Sequence, residues 1–121
     1  MANAKTELLY NLTQLEKRKG RSIPIKCATI TRESYHWYND EYVRENRPYI
    51  LREGHSIGEY EEFLHKLDFE YDNGYGGQQL YGTVWLTEDS TWLERGEYDG
   101  SEWWEHRECP SIPDELKTNN I

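Results

Sequence analysis

Three short segments between residues 79 and 107 alternate apolar and polar side chains, and this pattern constrains the fold more than any other feature. The segments are LYGTVWL at 80–86, TWLER at 91–95 and EWWEHR at 102–107. Turn sequences separate them, and Asp99-Gly100 suits a tight hairpin. Strict alternation between such turns predicts a three-stranded antiparallel meander over residues 79–107.

Two adjacent tryptophans in the last of these segments must point to opposite faces of the sheet. Side chains alternate along a strand, so Trp103 and Trp104 cannot both be buried on one face. We therefore expect one of them in the core and the other exposed or covered by a different part of the chain. Trp85 and Trp92 present the same choice on the neighbouring strands.

Two helices and a further strand complete the predicted fold. Residues 4–19 carry leucines near helical spacing, and residues 56–67 begin with a capping box made by Ser56 and Glu59. Residues 22–31 change to a period of two, which indicates a strand. We predict a single α+β domain over residues 1–121, in which the meander and one or two further strands form an antiparallel sheet packed against two helices. The predicted core residues are Leu8, Leu12, Leu15, Ile23, Ile25, Phe63, Leu64, Leu67, Val84, Leu86 and Leu93.

The segment 32–55 has no clear periodicity and is predicted to be irregular. It mixes tyrosines and Trp37 with arginines and acidic residues. A short helix from Asn39 to Glu45, ended by Pro48, and a short strand from Tyr49 to Arg52 are the elements its sequence favours. Residues 110–121, with Pro110 and Pro113, are expected to form a tail.

Net charge indicates the class of partner. The chain carries −9 in all, and residues 58–115 hold sixteen acidic residues against Lys66, Arg95 and Arg107. Such a surface repels nucleic-acid phosphates and attracts basic protein surfaces. We therefore expect a basic protein partner and no direct nucleic-acid binding.

The expected environment follows from the cysteines and from hydropathy. Cys27 and Cys109 form no CxxC pair, so a reducing cytoplasm is the expected location. No apolar run approaches the roughly 20 residues that span a bilayer, so no membrane partner is expected.

The stretch LDFEYDNGYGGQQLYG, residues 67–82, is close to the opening of a calcium-binding loop. Counted from Asp68, the glycine comes one position late, and Gln79 stands where the loop needs a bidentate glutamate. The four histidines show no metal-ligand spacing, and Ser56 is explained by its capping role. We expect no metal, no cofactor and no catalytic residues.

The sequences YDNGYGGQQLYGTVWL, RGEYDGSEWWEH and CPSIPDEL resemble small uncharacterised proteins encoded by bacteriophages. The resemblance covers Phe63 to Leu116. It implies a phage origin and the class of small acidic proteins that block a host factor, including defence nucleases, some of them by mimicking the charge of DNA.

The leading hypothesis is a non-enzymatic phage protein that binds and inhibits a host protein in the cytoplasm of the host cell. Its partner would be a basic, nucleic-acid-binding defence factor, held by an acidic and aromatic surface. The residues predicted for this surface are Asp68, Glu70, Asp72, Tyr75, Glu97, Tyr98, Asp99, Glu102, Trp103 and Glu105.

Two other function classes remain open from the sequence. One is a binding protein or sponge for a nucleotide signal, in which aromatic and arginine side chains stack on and pair with the ligand. Its predicted residues are Arg32, Trp37, Tyr38, Arg44, Arg47 and Arg52. The other, which has the weakest support, is a metal-dependent hydrolase that uses acidic residues and histidines.

Overall fold

A computed structural model of the chain describes residues 1–38, 41–74 and 77–117, and the side chains of these residues apart from 34–38 and 41–47. Its elements, in chain order, are β1 (Ala2–Asn3), α1 (Ala4–Lys19), β2 (Ile25–Tyr38), β3 (Glu41–Leu51), α2 (Ile57–Lys66), β4 (Glu70–Tyr71), β5 (Leu80–Leu86), β6 (Thr91–Tyr98), β7 (Ser101–Glu108) and a 3₁₀ turn (Asp114–Leu116).

Five strands form one antiparallel sheet in the order β3-β2-β5-β6-β7, and β1 and β4 form a separate two-stranded pair. The predicted α+β class is therefore confirmed. Asp99 and Gly100 connect β6 to β7 with φ angles of 51° and 86°, as the Asp-Gly sequence predicts for a tight hairpin. No helix in the described part of the chain is long and apolar enough to cross a membrane.

Both predicted helices are present, and local signals explain where they begin and end. The Asn3 side chain accepts a hydrogen bond from the Thr6 N–H at the start of α1, and Gly20 ends that helix in the left-handed region. Ser56 and Glu59 make the predicted capping box of α2, with hydrogen bonds of 3.1 and 3.2 Å.

The core lies between the helices and one face of the sheet. The predicted core residues are buried, except that Leu64 is only partly buried against the core. Several further residues outside the predicted core are also buried. These are Ala4, Ala28, Ile30, Leu51, Tyr71, Leu80 and Trp104.

The prediction of an irregular segment at 32–55 is wrong over most of its length. β2 continues to Tyr38 and pairs with β3 from Ala28↔Leu51 to Tyr38↔Glu41. The short helix is therefore wrong for residues 41–45, and Asn39 and Asp40 lie outside the described residues. Long-range pairing with β2 determines the conformation here, which a local reading of charged and aromatic residues does not detect. Pro48 is tolerated because β3 is an edge strand.

Gly82 marks a close approach between two central strands. It has a φ of 147° and pairs with Ile30 of β2. A Cβ at this position would lie 2.2 Å from the Thr29 carbonyl oxygen and 2.8 Å from the Ile30 Cα. Both of these atoms belong to the backbone, so no side-chain adjustment can remove the clash, and only glycine fits.

We predict that Gly82→Ala lowers the free energy of unfolding by about 2–4 kcal/mol, because it combines a backbone clash with a strained φ. Gly74→Ala is the matched control, since a Cβ there meets nothing within 4 Å. Urea unfolding followed by tryptophan fluorescence measures both variants. Equal stabilities for the two variants would contradict the close approach.

Candidate functional site

The face of the sheet opposite the helices carries exposed aromatic side chains. Trp85 is 43 % exposed, Trp103 36 % and Tyr98 77 %. The helices bury the other face, where Val84 and Leu93 belong to the core cluster. Within the described residues, no element packs over the aromatic side.

Strand register places these side chains on one face of the sheet. Trp85 pairs with Trp92, and Trp103 lies opposite Gly96. Because side chains alternate along each strand, the same face of β5, β6 and β7 collects every second residue. We call this surface the open face. It consists of Tyr81, Thr83, Trp85, Trp92, Glu94, Gly96, Tyr98, Trp103, Glu105 and Arg107.

Trp103 is held in a fixed position on the open face. Its indole ring lies over Gly96, where an added Cβ would come within 2.7 Å of the indole nitrogen. The indole N–H donates a 3.1 Å hydrogen bond to Glu105. Glu105 also accepts from Arg107, which donates to Glu94 as well. The ring is thus held in one position, and a contact through a pre-ordered side chain costs less entropy.

The predicted pair of tryptophans divides as the strand alternation requires. Trp104 is 5 % exposed and lies in the core, whereas Trp103 is on the open face. The expectation of one buried and one exposed tryptophan is confirmed.

The structure exposes most of the residues predicted for the acidic surface. Glu97, Tyr98 and Asp99 are exposed at the β6–β7 hairpin, while Asp68 and Glu70 are exposed near the start of α1. Asp72 and Glu105 are half-buried, and Tyr75 lies outside the described residues.

Glu102 is the exception, and its predicted place in a surface site is wrong. It is 3 % exposed and points into the protein, where it accepts hydrogen bonds from the N–H groups of Gln79 and Leu80 at 2.7 and 3.0 Å. The same carboxylate accepts a 2.6 Å hydrogen bond from Arg95. The alternation that exposes Trp103 turns Glu102 towards the helices.

Arg95 is the centre of a buried polar cluster. Its side chain is 2 % exposed and donates to Glu7 and Glu102, each at 2.6 Å. Tyr71 accepts from Arg95 at 3.0 Å and donates to Glu7 at 2.6 Å. The guanidinium also lies 4.9 Å from the centre of the Trp104 ring. Two carboxylates and a hydroxyl thus compensate one buried cation, in the way that burial of a charge requires.

The electrostatics of the cluster favour a charged Arg95 and a neutral Tyr71. Burial alone would lower the pKa of Arg95, but Tyr71 and the hydrogen-bonded carboxylates raise it above its ordinary value. Burial, together with the hydrogen bond to Glu7, raises the pKa of Tyr71. These contacts give the cluster a structural role.

The cluster also joins the two acidic segments predicted from sequence. Asn73 donates to Glu7, and its carbonyl accepts the Glu102 N–H at 2.8 Å. Asp68 is further away and accepts from Asn3 at the start of α1, while Asp72 accepts from the Gly74 N–H. The calcium-like stretch is thus hydrogen-bonded within the protein. Among the described residues, no group of three histidines, cysteines or acidic residues is arranged to hold a metal ion.

The arginines predicted for a nucleotide site are only partly described. The Arg32 guanidinium stacks on Phe69 at 4.0 Å from the ring centre, and Arg52 is exposed beyond the end of β3. The side chains of Trp37, Tyr38, Arg44 and Arg47 lie outside the described residues. In the β2–β3 register, Arg32 lies opposite Arg47. Arg52 lies beyond the end of that register, next to the pair Ala28↔Leu51, and is therefore at a different place along the strands. The described part of this group does not form a common pocket.

The comparisons identify no relative. The chain matches no protein-family model, no curated protein and no solved structure. Arguments about its function therefore depend on its own residues.

We predict that Glu102→Gln lowers the free energy of unfolding by about 2–4 kcal/mol, because the new amide would turn a donor towards other donors and leave Arg95 undercompensated. Glu105→Gln, on the open face, should cost less than about 1 kcal/mol. Urea unfolding of both variants measures the difference, and equal losses would show that Glu102 is not structural.

Tyr71 should make the stability of the folded protein depend on pH in the alkaline range. In the unfolded chain Tyr71 ionises near pH 10, while in the folded protein it remains neutral above that pH. Its contribution to stability is therefore present below about pH 10 and falls as the pH rises above it.

The difference in unfolding free energy between the wild type and Tyr71→Phe should thus be largest near pH 7 and shrink above pH 10. Urea unfolding across this range measures it, with the exposed Tyr10→Phe as the control. A difference that stays constant with pH would contradict the buried, neutral state of Tyr71.

Proposed function

We propose that this protein is a non-enzymatic binding protein whose open face contacts a basic surface on another protein. The observation that carries the proposal is that several aromatic side chains are exposed together on the face of the sheet that no helix covers. Large aromatic residues that are surface-exposed and clustered are typical anchors of protein interfaces.

The aromatic side chains supply apolar contact area at a low entropic cost. Trp103 is fixed by Gly96 and Glu105, and Trp85 pairs across the strands with Trp92. Tryptophan and tyrosine rings also attract the cationic side chains of lysine and arginine. The same rings can therefore contact both the apolar stems and the charged ends of a basic partner.

Charge favours the same partner. The β6–β7 hairpin carries five carboxylates outside the buried cluster; Arg107 pairs with two of them, and Lys19 of α1 pairs with Glu108. The five carboxylates belong to Glu94, Glu97, Asp99, Glu105 and Glu108. Together with the net charge of −9, they accelerate association with a basic surface and make binding sensitive to salt.

The resemblance to phage proteins makes a host protein the first class of partner to test. A host factor that binds nucleic acid presents lysines and arginines for phosphates, and carboxylates compete for the same groups. We propose that binding here inhibits such a factor. A nucleotide site in the arginine-rich segment is the weaker alternative, because Arg32 is already stacked on Phe69.

The test is capture of partners from a bacterial lysate at low and high salt, followed by affinity measurements on the purified partner. Trp85→Ala combined with Trp103→Ala should weaken binding more than tenfold, since anchor residues contribute about 2 kcal/mol or more each. Tyr10→Ala is the matched control, because Tyr10 is 62 % exposed on α1 and lies outside the open face. The affinity of the Tyr10→Ala variant for the partner should equal that of the wild type.

A second set of variants tests the charge. The test variant combines Glu97→Lys, Asp99→Asn and Glu105→Gln and leaves the buried Glu102 unchanged. The control variant combines Glu61→Lys and Glu62→Lys on α2, and it changes the net charge of the protein by the same amount. Only the first set should weaken binding and reduce its salt dependence. Equal effects of the two sets, or wild-type binding by the tryptophan variant, would contradict the proposal.

A further inference from the structure

The outer edge of β7 is an unpaired strand edge. β7 is the last strand of the five-stranded sheet, and alternate residues direct their backbone N–H groups away from β6. The Glu102 N–H shows which residues these are, because it donates to Asn73 on the side away from β6. By the same alternation, the N–H groups of Trp104, His106 and Glu108 point outward. In the described part of the chain no acceptor receives them.

The two edges of the sheet differ in how they are protected. At the opposite edge, β3 contains Pro48, which has no N–H to offer, and α2 lies beside that strand. β7 contains no proline. The described part of the tail after β7 makes no backbone hydrogen bond to Trp104, His106 or Glu108; its own backbone bonds link Leu116 to Pro113 and Lys117 to Asp114.

We propose that β7 binds an extended, basic segment of the partner as a sixth strand of the sheet. This inference rests on the proposed function and specifies how the partner binds. The added strand would exchange backbone hydrogen bonds with Trp104, His106 and Glu108. Its side chains on the open face would lie beside Trp103 and Glu105, so that pairing supplies affinity and the neighbouring side chains supply specificity.

Charge selects a basic segment over a second copy of this chain. The hairpin at this edge carries the five carboxylates named above, against Arg107 of β7 and Lys19 of α1, which pairs with Glu108. In an antiparallel pair of two β7 strands, Glu105 and Glu108 would lie near the carboxylates of the other copy, and like charges directly opposite one another destabilise a sheet. Lysines and arginines on the added strand would instead face Glu105 and the indole ring of Trp103.

The experiment uses a short blocked peptide of alternating lysine and valine, long enough to span β7. Two control peptides separate the contributions of backbone pairing and of charge. The first has the same sequence with alternate backbone nitrogens methylated, which prevents strand pairing. The second has glutamate in place of lysine, which reverses the charge. Binding is followed by NMR on the full chain, through the backbone amides of Trp104, His106 and Glu108 and their hydrogen exchange. We expect the lysine–valine peptide to bind and to slow exchange at these three amides, and we expect neither control peptide to bind.

A matched pair of variants tests the edge within the protein. His106→Pro removes an outward N–H while leaving the hydrogen bonds to β6 intact, because His106 does not donate to that strand. His106→Ala keeps the N–H and is the control. We expect His106→Pro to weaken peptide binding about tenfold relative to His106→Ala, in line with a lost hydrogen bond and an obstructed strand. Glu108→Pro, compared with Glu108→Ala, repeats the test at the exposed end of β7.

Each outcome decides the proposal. It is overturned if the methylated peptide binds as well as the unmodified one, if His106→Pro and Glu108→Pro bind like their alanine controls, or if the lysine–valine peptide does not bind. A dimer in sedimentation that both proline variants disrupt would assign the edge to a second copy and also overturn it. The proposed function fails separately, through the tryptophan and charge variants, so an edge that proves unused leaves the open face as the binding surface.

Discussion

The buried ion pairs of Arg95 determine how the rest of this protein is arranged. The guanidinium joins Glu7 on α1 to Glu102 on β7, and Tyr71 on β4 hydrogen-bonds to both Arg95 and Glu7. Glu102 in turn accepts the N–H groups at the start of β5. An apolar replacement could match such a cluster in stability, but removal of a single partner would leave a buried charge uncompensated. The cluster therefore ties α1, β4 and the start of β5 to one arrangement of the β6–β7 hairpin.

That arrangement also defines the open face. A strand that shifts by one residue exposes its other set of side chains. With Glu102 held inside, Trp104 must also point inward, and Trp103 and Glu105 must point outward. Burial of one carboxylate thus places an ordered aromatic ring and its supporting acidic residue at the surface. Buried structural residues and residues of the proposed binding surface thus alternate along the same strand.

Local patterns predicted the parts of the fold that have local causes. The capping box at Ser56, the leucine spacing of α1 and the Asp99-Gly100 turn each depend on residues close in sequence. The long β2–β3 hairpin depends on pairing between distant residues, and its charged and aromatic composition hides the alternation. Glu102 was misplaced because carboxylates near tryptophans resemble a solvated surface, and only the tertiary structure shows that Arg95 and two backbone N–H groups compensate its charge. The alternation that separates Trp103 from Trp104 also puts Glu102 on the same face as Trp104, and this was the signal available in the sequence.

The most direct test of the account is an NMR titration of the five indole N–H resonances with the partner captured from the lysate. The open face predicts that the Trp85 and Trp103 resonances shift on binding, while that of the buried Trp104 stays near its free position. Unchanged Trp85 and Trp103 resonances in a saturated complex would show that the partner binds elsewhere and would contradict the central claim.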